Sequence, residues 1–220
     1  MNPMKTTMTA PAHKRSNPLA LAVLVLLLER AMHPYEMAAT LRARRKEESI
    51  KLRYGSLYTV IELLERSGMI RAKRTSRQGK RPERTTYDLT RAGGVELRDW
   101  MRELLSTPAK EFPRFEAALS LLPSLPPDEV VGLLETRVEF LKQDIQQIEA
   151  GLQAAKAQKL APLFAIESEF RLANLQTELS FVTDLQRRIQ KDGCGFLKEW
   201  NQWHQDRASK SKPKSKRKSS

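Results

Sequence analysis

Tyr54-Gly55-Ser56-Leu57-Tyr58-Thr59-Val60-Ile61-Glu62-Leu63-Leu64-Glu65-Arg66-Ser67-Gly68 is the stretch that decides how the first half of this 220-residue chain is read. Leu57, Val60, Ile61 and Leu64 recur at helical spacing and form the buried stripe of a helix opening near Ser56. Ser67-Gly68 closes it, because glycine readily takes the left-handed backbone just past a helix. Upstream, Pro34 opens a shorter helix over residues 35–45, with Tyr35, Met37, Ala38 and Leu41 as its apolar side. Before that, Asn17-Pro18 pairs a capping side chain with a residue suited to a first helical turn, and the run at 19–28 predicts a helix to about Met32.

Downstream, residues 69–75 and 84–89 are extended candidates; Thr85, Thr86, Tyr87 and Leu89 supply β-branched and aromatic content. The connection over 76–83 holds Gly79 and Pro82 and reads as a polar hairpin. Three short helices with tight connections, followed by a basic hairpin, outline a winged helix-turn-helix with a two-stranded wing. Thr90 then caps a fourth helix to about Leu105, with Leu97, Trp100, Met101 and Leu104 on one side.

The second half is punctuated by Pro108, Pro113, Pro123, Pro126 and Pro127, with a short helix expected over 115–122. From Asp128, the apolar positions Val131, Leu134, Val138, Leu141, Ile145, Ile148, Leu152 and Ala155 step by 3 and 4 in alternation, a heptad seam. Pro162 interrupts it and starts another helix to about Gln190. There Leu172, Leu175, Leu179, Val182 and Ile189 keep the spacing, with polar Gln186 between. Two adjacent seams point to a helical hairpin, a coiled coil between subunits, or both. Val131, Leu134, Val138, Leu141, Ile145, Ile148, Leu152, Leu175, Leu179 and Val182 are therefore the expected dimerisation residues. The expected class is mainly α: a flexible arm (1–16), a winged helix-turn-helix (17–107), a helical dimerisation domain (108–206) and a disordered basic tail (207–220).

The charge is divided along the same lines. Residues 1–110 carry 22 Lys+Arg against 11 Asp+Glu, residues 111–206 carry 10 against 15, and the last fourteen carry 7 against none. The net values, +11, −5 and +7, sum to the whole chain's +13, so only the first and third segments would seek a polyanion. Lys14 and Arg15 ahead of the apolar run at 19–28 imitate a signal peptide, but ten residues are too few to span a bilayer, and Glu29, Arg30 and His33 follow at once. The chain is expected to be soluble and cytoplasmic, with no membrane partner. Its single cysteine, Cys194, fits a reducing compartment.

Catalytic and metal chemistry find no support in the residue pattern. His13, His33 and His204 are scattered, no pair lies at metal-ligand spacing, and there is no glycine-rich phosphate loop or Gly-x-Ser-x-Gly elbow. Neither an enzyme nor a cofactor is expected.

Tyr54-Gly55-Ser56-Leu57-Tyr58 with Leu63-Leu64-Glu65-Arg66-Ser67-Gly68-Met69-Ile70 resembles the recognition-helix region of PadR-like transcriptional regulators, as does His33-Pro34-Tyr35-Glu36-Met37 upstream. Arg81-Pro82-Glu83-Arg84-Thr85-Thr86-Tyr87-Asp88-Leu89-Thr90-Arg91-Ala92-Gly93 is similar to the return strand of their wing and the following helix start. Leu119-Ser120-Leu121-Leu122-Pro123 and Leu125-Pro126-Pro127-Asp128-Glu129 resemble the approach to the long helix in the family's larger subgroup, whose helical region mediates dimerisation. The resemblance implies double-stranded DNA as partner, a homodimer on an inverted-repeat operator, a repressor by analogy, and for some members a small-molecule effector.

A recognition helix sets its N-terminal residues against base edges in the major groove. The candidates are Lys51, Arg53, Tyr54, Ser56 and Thr59, with Gly55 allowing close backbone approach. Arg53 suits a guanine or a phosphate equally. Tyr58 is assigned to the core ahead of DNA. The wing offers Lys73, Arg74, Arg77, Lys80, Arg81 and Arg84, with Glu83 counted as the balancing acid, and is assigned to phosphate or the minor groove. A competing reading is an architectural or RNA-associated winged helix without sequence choice. The tail serves non-specific affinity or solubility alone. Trp100 is expected in the core, with Trp200 and Trp203 at a dimer contact or partly exposed.

Overall fold

The computed structural model describes residues 15, 17–76, 84–191, 195 and 197–211. Its order is α1 (Pro18–Glu29), α2 (Pro34–Ala43), α3 (Tyr54–Arg66), β1 (Ile70–Ser76), β2 (Arg84–Leu89), α4 (Arg91–Ser106), α5 (Arg114–Ser120), α6 (Pro127–Ala157), α7 (Ile166–Gln190) and α8 (Leu197–Ser211). The chain divides into two compact units, Met1–Lys110 and Glu111–Ser220.

The first unit is built around α1, which is apolar on nearly every side. Leu19, Val23, Leu24, Leu26 and Leu27 are buried with Met37 and Leu41 of α2, Leu57, Ile61 and Leu64 of α3, Ile70 of β1, and Leu97 and Trp100 of α4. Asn17 caps α1 by accepting from the Leu19 amide at 3.0 Å. The helix stops at Glu29, three residues short of the expected Met32, for a physical reason: Met32 exchanges backbone hydrogen bonds with Tyr87 (3.1 and 3.0 Å). That bridge docks β2 on the α1–α2 link. His33 then caps α2, its Nδ1 accepting from the Tyr35 amide at 3.1 Å. Tyr35 itself is exposed, so it does not belong to the apolar side of α2 as expected.

The α3–β1–α4 junction rests on Thr90 and Gly93. Thr90 Oγ1 accepts from the Gly93 amide at 3.0 Å and lies 2.7 Å from the Gly68 carbonyl oxygen. A Cβ on Gly93 would sit 2.0 Å from the Met69 carbonyl oxygen, so only glycine lets α4 start this close to β1.

The second unit is a helical hairpin. Leu134 and Leu141 of α6 and Val182, Leu185 and Ile189 of α7 are buried together, with Val131, Val138, Leu175 and Leu179 packed against them. Ile145 is also buried, and Ile148 and Leu152 are half-buried. The two heptad seams therefore meet within one chain, the first of the alternatives their spacing left open. Arg137 Nε donates to Glu178 at 2.6 Å across the pair, and its guanidinium lies 3.6 Å from the centre of the Phe115 ring of α5. α8 has no counterpart in the expected elements, and it carries regular helix through residues 207–211, which were expected to be disordered. Trp200 anchors it: the ring is buried and its Nε1 donates to the Leu125 carbonyl at 2.8 Å, while Trp203 stays exposed. Within the expected arm, Arg15 is held on α4 by Glu96 (2.7 and 2.9 Å) and Glu103 (2.5 Å).

Candidate nucleic-acid interface

α3 has two faces. Leu57, Val60, Ile61 and Leu64 are buried, whereas Tyr54, Gly55, Ser56, Tyr58 and Thr59 are exposed. Tyr58, assigned to the core from sequence, is 48% exposed; its position one residue past Leu57 turns it out of the buried stripe. Arg53 holds the N-cap in extended backbone and makes no side-chain cap bond. The first amides of α3, which carry the partial positive charge of a helix start, are thus not met by the capping side chain. Lys51 and Arg53 are both exposed in the turn leading in. Lys51, Arg53, Tyr54, Ser56 and Thr59 therefore share one open surface at the start of α3.

Gly55 and Thr59 are informative in detail. A Cβ at Gly55 would meet nothing within 4 Å, so no contact among the described residues requires glycine there. Thr59 Oγ1 donates to the Gly55 carbonyl at 3.0 Å, which leaves the hydroxyl oxygen free to act as an acceptor.

One residue of this surface escaped the sequence reading. Arg42 of α2 donates from Nη1 to the Tyr54 hydroxyl at 2.6 Å and from Nε to Glu47 at 3.1 Å. The bond to Tyr54, then that to Glu47, raises the arginine's pKa above its ordinary value. Its only sequence signal was a basic residue at the end of the helix preceding α3.

The wing is an antiparallel pair in which Ile70 faces Leu89, Arg71 faces Asp88 and Ala72 faces Tyr87; the register then shifts, so that Arg74 faces Thr86. Lys73 is the extra residue of that bulge, and bulges re-aim side chains. Arg71 and Lys73 lie 3.7 and 3.5 Å from Asp88 Oδ2. Asp88 thus balances wing cations, which corrects the expectation that Glu83 is the wing's only acid. Arg74 lies within β1, while Arg77, Lys80 and Arg81 fall outside the described residues.

Among the described residues no group of three or more His, Cys, Asp or Glu is placed to hold a metal ion, and no helix is long and apolar enough to cross a membrane.

Known structures share this fold. Bacillus subtilis PadR in complex with operator DNA matches at TM-score 0.62 and 20% identity, over 78% of this chain and 97% of that one. The same protein in complex with p-coumaric acid matches at 0.62 and 17%, over 78% and 98%. The Vibrio cholerae virulence activator AphA matches at 0.60 and 15%, over 79% and 98%. At such identities the likeness is one of fold. No curated protein matches the sequence. The sequence profile of the transcriptional regulator PadR-like family matches residues 23–99, which run from α1 into α4 and include all of α3 and both wing strands. The winged helix of this chain is thus similar in sequence to that family of transcriptional regulators.

Proposed function

We propose that this protein is a cytoplasmic repressor that binds an inverted-repeat operator as a homodimer and is released by a small-molecule effector. The observation that carries the reading is the open surface at the start of α3. There Lys51, Arg53, Tyr54, Ser56 and Thr59 are exposed around a glycine that packing among the described residues does not need. Base edges would be met by Arg53, Ser56 and Thr59, and phosphates by Lys51, by the helix start and by the wing residues Arg74, Arg77, Lys80 and Arg81. The basic residues beyond Asp206 add sequence-independent attraction.

Dimerisation is supported by apolar surface that the hairpin leaves over. Leu133 and Phe140, one heptad apart on α6, are 53% and 64% exposed; Phe170 and Phe181, three turns apart on α7, are 70% and 43% exposed. Leu133 and Phe140 line a groove with Leu141 and Leu175, and a second copy of the same hairpin is the occupant proposed for this face. Val131, Leu134, Val138, Leu141, Leu175, Leu179 and Val182 then contribute indirectly, by holding the hairpin that presents it. The p-coumaric acid complex of the Bacillus subtilis protein supports an effector.

Two-fold symmetry of the dimer relates the two α3 helices, so half-site centres should lie about one helical turn apart, roughly 34–36 Å, or a multiple of it. Footprinting upstream of the gene locates the site; inserting about five base pairs between half-sites should abolish tight binding, and about ten should partly restore it. Indifference to both insertions would mean that the subunits bind independently. A reporter under the footprinted promoter separates repression from activation, and thermal shift with a phenolic-acid panel tests the effector.

A further inference from the structure

Asp88 stands where an acid is unwelcome on a surface meant for phosphate. It is the single acid in the two wing strands, whose sequences are Ile-Arg-Ala-Lys-Arg-Thr-Ser and Arg-Thr-Thr-Tyr-Asp-Leu. Its carboxylate is 23% exposed and lies 3.5 Å from the Lys73 ammonium and 3.7 Å from the Arg71 guanidinium. Both cations are more than half exposed, so solvent or a phosphate can reach them. The geometry is built rather than incidental: Arg71 is the direct cross-strand partner of Asp88, and the bulge at Lys73 brings a second cation to the same carboxylate. Opposite charges on facing strands attract, though at such an exposed site the pair adds little to stability.

Taking the DNA-binding reading above as its basis, we infer that Asp88 is a specificity-setting counter-charge of the wing. It engages Arg71 and Lys73 and so holds down the protein's indiscriminate affinity for duplex DNA. Non-specific binding is almost wholly phosphate attraction and counterion release, whereas operator binding adds base contacts from α3. An anion that partly neutralises two wing cations therefore weakens the first proportionately more than the second. A phosphate approaching Arg71 or Lys73 must also displace Asp88 and be repelled by it.

The test is Asp88→Asn in the full-length protein, with binding to an operator fragment and to a random duplex measured across a salt series. The variant should bind random duplex several-fold more tightly, and the operator-to-random ratio should fall. The plot of log affinity against log salt should steepen by about 1–2, near 0.9 for each phosphate newly neutralised. Asp88→Glu should keep the wild-type ratio and slope. Adding Arg71→Ala and Lys73→Ala to the Asp88→Asn variant should cancel the gain. A purely structural role predicts the opposite sign, because a damaged wing binds every duplex more weakly. If wild type binds DNA and Asp88→Asn binds random duplex no more tightly, with an unchanged slope, this inference is overturned while the regulator reading stands. If wild type binds no duplex at all, both fall.

Discussion

The Tyr54 hydroxyl, at the first residue of α3, accepts a 2.6 Å hydrogen bond from Arg42 of α2, whose guanidinium lies 4.6 Å from the centre of the same ring. Two consecutive helices are thus joined at the edge of the surface proposed to read DNA. Tyr54→Phe keeps the ring and deletes the acceptor. Because the pair is exposed, stability should change by less than about 0.5 kcal/mol. Operator affinity should fall several-fold, with Arg42→Ala losing more because it also removes a cation from this edge. Chemical denaturation and titration of an operator fragment check the two halves. Unchanged affinity in both variants would remove this edge from the interface.

Base reading and phosphate attraction should separate by residue. Arg53→Ala and Ser56→Ala should cost roughly 1–3 kcal/mol of discrimination between the operator and a mutated operator where a base contact is lost. Lys80→Ala with Arg81→Ala should weaken all duplexes alike and flatten the salt dependence. The reverse pattern would assign sequence reading to the wing.

Gly55 and Gly93 should respond to alanine in opposite ways. At Gly55 the space is open, and alanine restricts the unfolded chain, so Gly55→Ala should raise stability by up to about 1 kcal/mol while weakening operator binding. At Gly93 the new methyl would meet the Met69 carbonyl oxygen at 2.0 Å, and backbone must move. Gly93→Ala should lose more than about 2 kcal/mol or fail to fold. Thermal melts and operator titrations distinguish the two. A Gly55→Ala protein with full operator affinity would show that no close approach occurs there.

Leu141 and Phe140 are neighbours in sequence with different expected roles. Leu141 is 6% exposed in the hairpin core, so Leu141→Ala should cost about 2–5 kcal/mol and lower the melting temperature. Phe140 is 64% exposed, so Phe140→Lys should leave the fold intact and shift the protein from dimer to monomer in sedimentation. A Phe140→Lys variant that remains a stable dimer would place the subunit contact elsewhere.

Much of this was legible in the sequence because it follows from periodicity. The stripe Leu57, Val60, Ile61, Leu64 is buried as its spacing requires, and the cap residues Asn17 and Thr90 stand at the starts of α1 and α4. What was not legible depends on contacts between residues far apart. Met32 leaves α1 because Tyr87 claims its backbone, a partner 55 positions away. α8 shows few apolar residues besides Leu197 and Trp200, and its anchor is the Leu125 carbonyl, which no side-chain pattern reveals. Arg42 and Asp88 read as ordinary charges until the fold brings Tyr54 to the first and Arg71 and Lys73 to the second. The heptad seams were legible as seams but not as contacts within one chain, since the same spacing serves a hairpin and an intersubunit coil.

The central claim, that the start of α3 makes this protein choose its DNA sequence, is tested most directly by one ratio. It is the affinity for the footprinted operator divided by the affinity for a random duplex of equal length, at a fixed salt of about 0.15 M, near physiological ionic strength. A sequence-reading regulator should give a ratio of about 1,000 or more. Parity between the two duplexes would contradict the account and leave a basic winged helix that binds without choosing, in an architectural or RNA-associated role.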